Sequence, residues 1–375
     1  MLFSQIIGQK EVKKALISTI ERQRVSHAQL FLGPEGSGKL ALALAYAQYI
    51  NCTNKQNGES CGQCPNCHKY QKLAHPDLHF IFPTAAVGSV KSPVSDDFMK
   101  EWRELILETD AYINLPAWYK KIGIEKKQAI INTRDCNEIV KKLSYESYES
   151  EYKVMIIWMV EKLHYAAAPK ILKILEEPPP KTLFILISEN HHLIINTILS
   201  RTQLLKIPPI EEDDLRNYLL NKHQDASAIR NMLPLANGNM IRAEELLNDS
   251  EELEYTFQHF VQWMRTSYSY KIEDILDFAN TMAKNSRERN IAFLIYVLRM
   301  VHESLMMNYQ MIDQLKLTPD EKNFMLKFSQ FLNPSNIPAI TDEINRAISH
   351  IGRNAQSNIL FTDLSLKVGR MLRGK

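Results

Sequence analysis

The sequence predicts an α/β domain built on a parallel, helix-covered sheet, followed by an all-helical remainder. Three observations carry this. Short apolar runs at 28–32, 78–82, 153–159 and 182–188 alternate with helical patterns up to Pro208-Pro209. A glycine-rich loop sits between the first run and the helix after it. Beyond Ile210 no run has strand character, and apolar residues recur at helical spacing.

In chain order, residues 9–22 place Val12, Ala15, Leu16 and Ile20 on one helical face, leading into the strand at 28–32. The loop Gly33-Pro34-Glu35-Gly36-Ser37-Gly38-Lys39-Leu40 follows, then an Ala- and Leu-rich helix over 40–49. Four cysteines lie within 52–67. His75-Pro76-Asp77 precedes the strand 78–82, which Pro83 ends. Residues 84–127 read as an insertion with a helix at about 96–109 capped by Ser95. A helix from Asn132 to Leu143 and a central strand at 153–159 come next. Another helix starts near Ala166, holds Pro169 in its first turn, and stops at Pro178-Pro179-Pro180. The strand 182–188, a helix at 193–199 and an extended stretch at 203–207 complete the unit. Three short helices are expected at 211–221, 226–236 and 241–247. Longer amphipathic helices follow, broken near 285–287, Pro319, Pro334 and Pro338. The expected domains are 1–209, 210–249 and 250–375.

Composition narrows the classes. A chain of 375 residues exceeds what one core usually serves. Its 45 Lys and Arg nearly balance 43 Asp and Glu, so no global positive field marks a nucleic-acid binder. The short runs Lys120-Lys121, Lys126-Lys127 and Lys141-Lys142 are local basic patches at most. No secretory h-region and no apolar run of about 18 residues stands out, which predicts a cytoplasmic protein without membrane contact. There, crowded cysteines point to metal rather than disulfides.

The chemistry is in two clusters. Cys52, Cys61, Cys64 and Cys67 have the spacing of a four-thiolate zinc site, two short Cys-x-x-Cys turns supplying adjacent ligands. An iron–sulfur run would place a further cysteine where Gln71 stands. His68 is a candidate substitute ligand, and Cys136 a packing residue.

The glycine loop matches the Walker A pattern up to its final residue. Gly33, Gly36 and Gly38 allow backbone N–H groups to face phosphate, and Lys39 reaches it. Leu40 stands where Ser or Thr would hold magnesium. The strand 153–159 ends in Trp158 and Met159, where an acid for that ion is needed; Glu161 and Glu189 are off register. The metal site is therefore lost from both sides, and no intrinsic ATPase activity is expected. ATP or ADP bound without magnesium remains open at this stage.

The run His27 to Pro34, the cysteine module directly after the loop's helix, His75-Pro76-Asp77, the run Leu172 to Pro179, and Leu199-Ser200-Arg201-Thr202 occur in an order that resembles the bacterial clamp-loader subunits of the AAA+ class. The resemblance covers residues 1–250 and extends by architecture over the rest. It implies a RecA-like AAA+ domain with a zinc module, a helical lid and a C-terminal helical collar. It implies that Arg201, in a Ser-Arg-Thr variant of the family's Ser-Arg-Cys motif, acts as a trans arginine finger on a neighbour's ATP. Arg242 resembles a nucleotide-sensing arginine, and Ser188 a polar sensor. The implied partners are the other subunits of a hetero-pentamer, the sliding clamp, and primed DNA reached through the complex. The role would be an accessory subunit of a replicative polymerase. Two alternatives remain open: an active ATPase subunit of the same loader, and a zinc-dependent nucleic-acid-binding module on a decayed NTPase scaffold.

Overall fold

The buried runs of the N-terminal half alternate side chains between two apolar layers. Phe31, Val154, Ile156, Leu183, Ile185 and Ile187 point into one core, while Ala28, Leu30, Met155, Ile157, Phe184 and Leu186 point into another. A strand covered on both faces needs apolar residues at every position, which explains the unbroken runs. The structure is a computed structural model. It describes residues 1–375 except Ser89, Lys126, Tyr145, Glu146, Gln224, Asp249, 312–314, Asn354, Lys375 and the side chains of 250–252 and Glu288. The chain forms two units, Met1–Gln224 with Ala236–Glu244, and Asp225–Leu235 with Glu245–Lys375.

The first unit runs α1 (Lys10–Glu21), β1 (Ala28–Leu32), α2 (Lys39–Asn51), α3 (Pro65–Gln71), β2 (Leu78–Ile81), α4 (Met99–Glu108), α5 (Leu115–Lys121), α6 (Thr133–Ser144), β3 (Lys153–Trp158), α7 (Ala168–Glu176), β4 (Thr182–Ser188), α8 (Asn196–Leu199), β5 (Gln203–Lys206) and α9 (Glu212–Lys222). Among the described residues the strands form one parallel sheet, ordered β2-β3-β4-β1-β5. β1 lies between β4 and β5, and the glycine loop leaves its C-terminal end beside β4, where the Gly33 amide donates to the Ser188 carbonyl at 3.3 Å. α2 is buried along its whole length, including Lys39, Gln48 and Asn51. That is why its sequence shows no polar face.

Two local expectations are corrected. Ser95 does not cap a helix: its hydroxyl donates to the Phe82 carbonyl and accepts from the Phe82 amide, both at 3.0 Å. A 3-10 turn at Ser95–Phe98 precedes α4. The expected helix at 193–199 is divided into a 3-10 turn at His191–Leu193 and the short α8, since Ile194 and Ile195 have extended backbones.

α10 (Ala226–Ala236) and α11 (Met240–Asn248) follow, with 236–244 belonging to the first unit. The second unit continues with α12 (Ser250–Ser269), α13 (Ile272–Ala283), α14 (Arg287–Asn308), α15 (Pro319–Phe328), α16 (Ile337–Gly352) and α17 (Ser357–Leu372). Its own core includes Phe260, Trp263, Phe278, Phe293 and Phe361. The Trp263 indole N–H donates to Ser365 Oγ at 2.7 Å, joining α12 to α17. Tyr296 Oη donates to Glu321 Oε1 at 2.6 Å, and Arg299 pairs with the same carboxylate, which fixes α14 to the start of α15. The sequence reading found no membrane-length apolar run, yet Arg289–Asn308 is long and apolar enough by length and composition, with a mean hydropathy of 1.2. Half of that window is buried, as in the core helix of a folded domain.

Candidate functional site

Two clusters in the first unit carry the chemistry. At the glycine loop, Gly36 and Gly38 have φ of 69° and 85°, the left-handed region that favours glycine. Gly36 also has no room for a side chain: an added Cβ would lie 1.8 Å from Asn239 Oδ1. Asn239 Nδ2 donates to Glu35 Oε1 at 3.1 Å, and the Met240 amide donates to the Gly36 carbonyl at 3.2 Å. Lys39 is 6% exposed, and its Nζ donates to the Pro34 carbonyl at 2.5 Å and stands 3.5 Å from Glu189 Oε1. Burial pulls the Lys39 ammonium down from its usual range and pushes the Glu189 carboxyl up; each charge partly offsets the other's shift. The lysine is thus satisfied within its own chain.

Leu40 and Trp158 are 3% and 2% exposed, and both line the cavity over the loop. The other walls come from Gly36, Gly38, Lys39, Ile187, Glu189, Ile241 and the stretch Ala111-Tyr112-Ile113 of the 84–127 insertion. About 10 Å³ is left inside. Ligand pockets run to about 300–1,000 Å³, well above the space left here. The Tyr112 hydroxyl would be 3.2 Å from a Cβ at Gly38 and accepts a hydrogen bond from the Ile7 amide at 3.1 Å.

Arg201 follows α8 at the opposite side of β1 from β4, just before β5. Its Nε donates to Glu176 Oε1 at 2.6 Å, and its Nη1 donates to the Thr197 carbonyl at 2.9 Å and Ser200 Oγ at 3.2 Å. The side chain is 33% exposed and Glu176 48% exposed, so the guanidinium stands at the surface. Arg242 is exposed in the first turn of α11; its neighbour Ile241, not Arg242, lines the loop cavity. Gly36, Gly38 and Lys39 therefore share the loop cavity, which neither Arg201 nor Arg242 lines. The Ser188 hydroxyl accepts from the Asn190 amide at 3.2 Å, and it is the next residue, Glu189, that reaches the loop.

In the second cluster the sulfurs of Cys52, Cys61, Cys64 and Cys67 all lie within 4.8 Å of one another. Cys52 to Cys61 is 3.6 Å and Cys61 to Cys67 is 3.9 Å. Thiolate–metal bonds of about 2.3 Å in a tetrahedron space the sulfurs about 3.8 Å apart, so the four fit a metal ion. Disulfides are excluded at these separations. The Cys61, Cys64 and Cys67 amides each donate to the sulfur of the preceding cysteine in the set, at 3.3, 3.3 and 3.5 Å. Such N–H···S bonds favour the thiolate form that a metal requires. Gln71 Nε2 donates to the Gly62 carbonyl at 3.1 Å, closing the cysteine loop, whereas His68 is exposed and outside the set. Cys136 is buried in the core, where burial pushes its thiol up to about 12.

His75-Pro76-Asp77 ties this module to the sheet. Asp77 accepts from the amides of Tyr148, Glu149 and Ser150 at 2.7, 2.9 and 2.9 Å. Burial raises its pKa, but these bonds win and hold it below the usual carboxylate range. Asn51 adds a bridge, donating to Tyr70 Oη at 2.6 Å and to the Tyr152 carbonyl at 2.9 Å.

The basic runs are mostly surface ion pairs. Lys121 pairs with Glu104 and Glu108 at 3.3 and 3.0 Å, Lys141 with Glu138 at 4.0 Å, and Lys142 with Asp96. Lys126 lies outside the described residues. The sequence reading missed the parts played by Tyr112, Asn239 and Glu176, and set Glu189 aside. Only Glu189 carried a signal, as the residue directly after a buried strand beside the loop.

Comparison with known proteins follows the same lines. The chain is 28% identical over 243 residues to the DNA polymerase III subunit delta' of Bacillus subtilis (strain 168), spanning 65% of this chain and 60% of that protein. It is 30% identical over 205 residues to the subunit delta' of Haemophilus influenzae, spanning 55% of this chain and 48% of that protein. It thus spans about half to three fifths of those relatives' own lengths. Among solved structures, a DNA polymerase III gamma subunit-related protein of Thermotoga maritima superposes with a TM-score of 0.39 at 14% identity, covering 96% of this chain and 99% of that one. The family described as "DNA polymerase III, delta subunit" matches residues 8–211. With more than half of its length matched, this chain belongs to the DNA polymerase III delta subunit family.

Proposed function

We propose that this chain is a non-hydrolysing AAA+ subunit of the bacterial DNA polymerase III clamp loader, and that it presents Arg201 as a trans-acting arginine to the ATP of a neighbouring motor subunit. One observation carries the reading. Lys39 is held by Pro34 and Glu189, and Leu40 and Trp158 stand where magnesium needs oxygen ligands. Arg201 supports the second half, because its guanidinium is at the surface and positioned by Glu176, Thr197 and Ser200. A guanidinium delivered to a γ-phosphoryl group stabilises charge that develops during its transfer.

In this reading residues 1–209 form the RecA-like domain, 210–249 the lid and 250–375 the collar that joins subunits in a hetero-pentamer. The complex opens the sliding clamp and places it on primed DNA in the cytoplasm. The four cysteines hold structural zinc, which has no redox role there. A sensing role for Arg242 lapses with the nucleotide.

The test is the ATPase rate of the motor subunit alone, with this chain, and with Arg201→Ala. The chain alone is expected to show no turnover. The wild type stimulates its partner, and Arg201→Ala loses a finger's worth of kcat, on the order of 10³–10⁵. Because Arg201 makes an exposed ion pair, the variant should lose no more than about 1 kcal/mol of stability. Turnover by the chain alone, or stimulation that survives the substitution, would overturn the reading.

A further inference from the structure

We propose that the 84–127 insertion is the resident ligand of the glycine loop: Ala111-Tyr112-Ile113 occupy the space where a nucleoside phosphate would sit. The inference rests on reading the loop as non-hydrolysing and assigns the insertion a role that its sequence does not reveal.

Four observations converge. The cavity keeps only about 10 Å³, and the stretch 111–113 is one of its walls. That is room for about one water molecule, far less than a nucleoside phosphate needs. The residues that cost the loop its metal site are the ones the insertion packs on. Trp102 of α4 lies 5.2 Å from Trp158 between ring centroids and stacks on Phe82 at 4.3 Å. Trp118 of α5 lies 4.9 Å from Phe82, and its indole N–H donates to the Pro83 carbonyl at 2.9 Å. Both helices that flank 111–113 are thus anchored at the ends of β2 and β3. An aspartate at 158 would put a charge against that aromatic group; tryptophan makes a wall for it.

The third observation is backbone geometry. Asp110 and Ala111 both have positive φ, 49° and 63°. Left-handed backbone is unfavourable for a residue with a side chain, and it persists where the surroundings dictate it. Here the Ala111 amide donates to the Ile106 carbonyl and the Tyr112 amide to the Thr109 carbonyl, both at 2.9 Å. This sharp turn is what drives 111–113 back onto the loop. Fourth, Tyr112 bridges the glycine loop and the segment ahead of α1. Its ring covers Gly38, and its hydroxyl holds the Ile7 amide at 3.1 Å, just ahead of α1.

The proposal separates nucleotide binding from nucleotide hydrolysis, and the full-length chain tests it. Calorimetric titration of the wild type with millimolar ATP, with and without magnesium, should give no saturable heat. Tyr112→Ala removes the cover over Gly38 and should bind ATP at least about tenfold more tightly than wild type. Tyr112→Phe keeps the ring and should stay closed. Hydrogen exchange should find the Ala111 and Tyr112 amides, bonded to Ile106 and Thr109, protected in the wild type without nucleotide and unchanged by ATP.

Wild-type ATP binding that Lys39→Ala removes would overturn the inference while leaving the absence of turnover intact. A folded Tyr112→Ala that binds no better than wild type would also overturn it. Should that variant fail to fold, exchange decides: rapid exchange of the Ala111 and Tyr112 amides in the wild type, or their protection lost on adding ATP, would count against a resident ligand. ATP turnover by the wild-type chain would instead remove the reading of function on which this rests.

Discussion

A phosphate-loop lysine is useful because its ammonium is free to reach a terminal phosphate. Lys39 is not free, since Pro34 and Glu189 hold it at a narrow cavity. Leu40 and Trp158 were legible in the sequence as missing oxygen donors at the two places where magnesium is held. Their second role, as apolar walls, was not legible, because it depends on Trp102 arriving from a distant part of the chain. This distinguishes a lost site from a rebuilt one. Trp158→Asp would restore an acid at the strand end but place a charge in the core, and removing so large a buried aromatic costs about 3–5 kcal/mol before the charge is counted. We therefore expect it to lower stability by more than about 4 kcal/mol in denaturant titration, with no ATP turnover gained. A near-neutral effect on stability would show that Trp158 is not a packing wall.

Among the elements, the strands were readable to within a residue or so because runs buried on both faces leave little choice of residue. β1 and β4 have the bounds expected of them. The insertion was the opposite case. The left-handed turn at Asp110-Ala111 has no glycine to announce it, and Ser95 looks like a helix cap while in fact pairing with the backbone of Phe82. β2 carries its own test in His79. Burial, and then the Lys142 charge, lower its pKa to about 4 from a usual 6.5, against smaller opposing effects of Asp77 and Asp96. A histidine held neutral in the fold is protonated more readily when unfolded. Its contribution is therefore complete above pH 6.5 and is lost as pH falls from there toward 4, by about 3 kcal/mol in all. His79→Gln should flatten the fall in stability between those limits, measured as the difference between the two proteins at each pH. Parallel pH profiles would rule His79 out as the source.

At the scale of the whole molecule, each unit has its own buried core, so a metal held by the four cysteines should stabilise the two unequally. The cysteines were the most legible part of the sequence, since spacing alone marked four candidate ligands, and the fold gathers their sulfurs within 4.8 Å. What spacing could not convey is the coupling of the module to the sheet. Cys52 directly follows α2, Cys67 lies on α3, and Asn51 links Tyr70 of α3 to the Tyr152 backbone at the entry to β3. Loss of metal would leave four thiols, two of them buried, around an empty centre and loosen that link. Because metal binding and folding are coupled, chelation should lower the melting temperature of the first unit. Scanning calorimetry on the full chain should find one transition falling by about 5 °C or more with a chelator and returning with zinc, while the transition of the helical second unit stays in place. Equal shifts in both transitions would mean that the units do not melt separately, and no shift in either would mean that the cysteines are not bound to a structural metal.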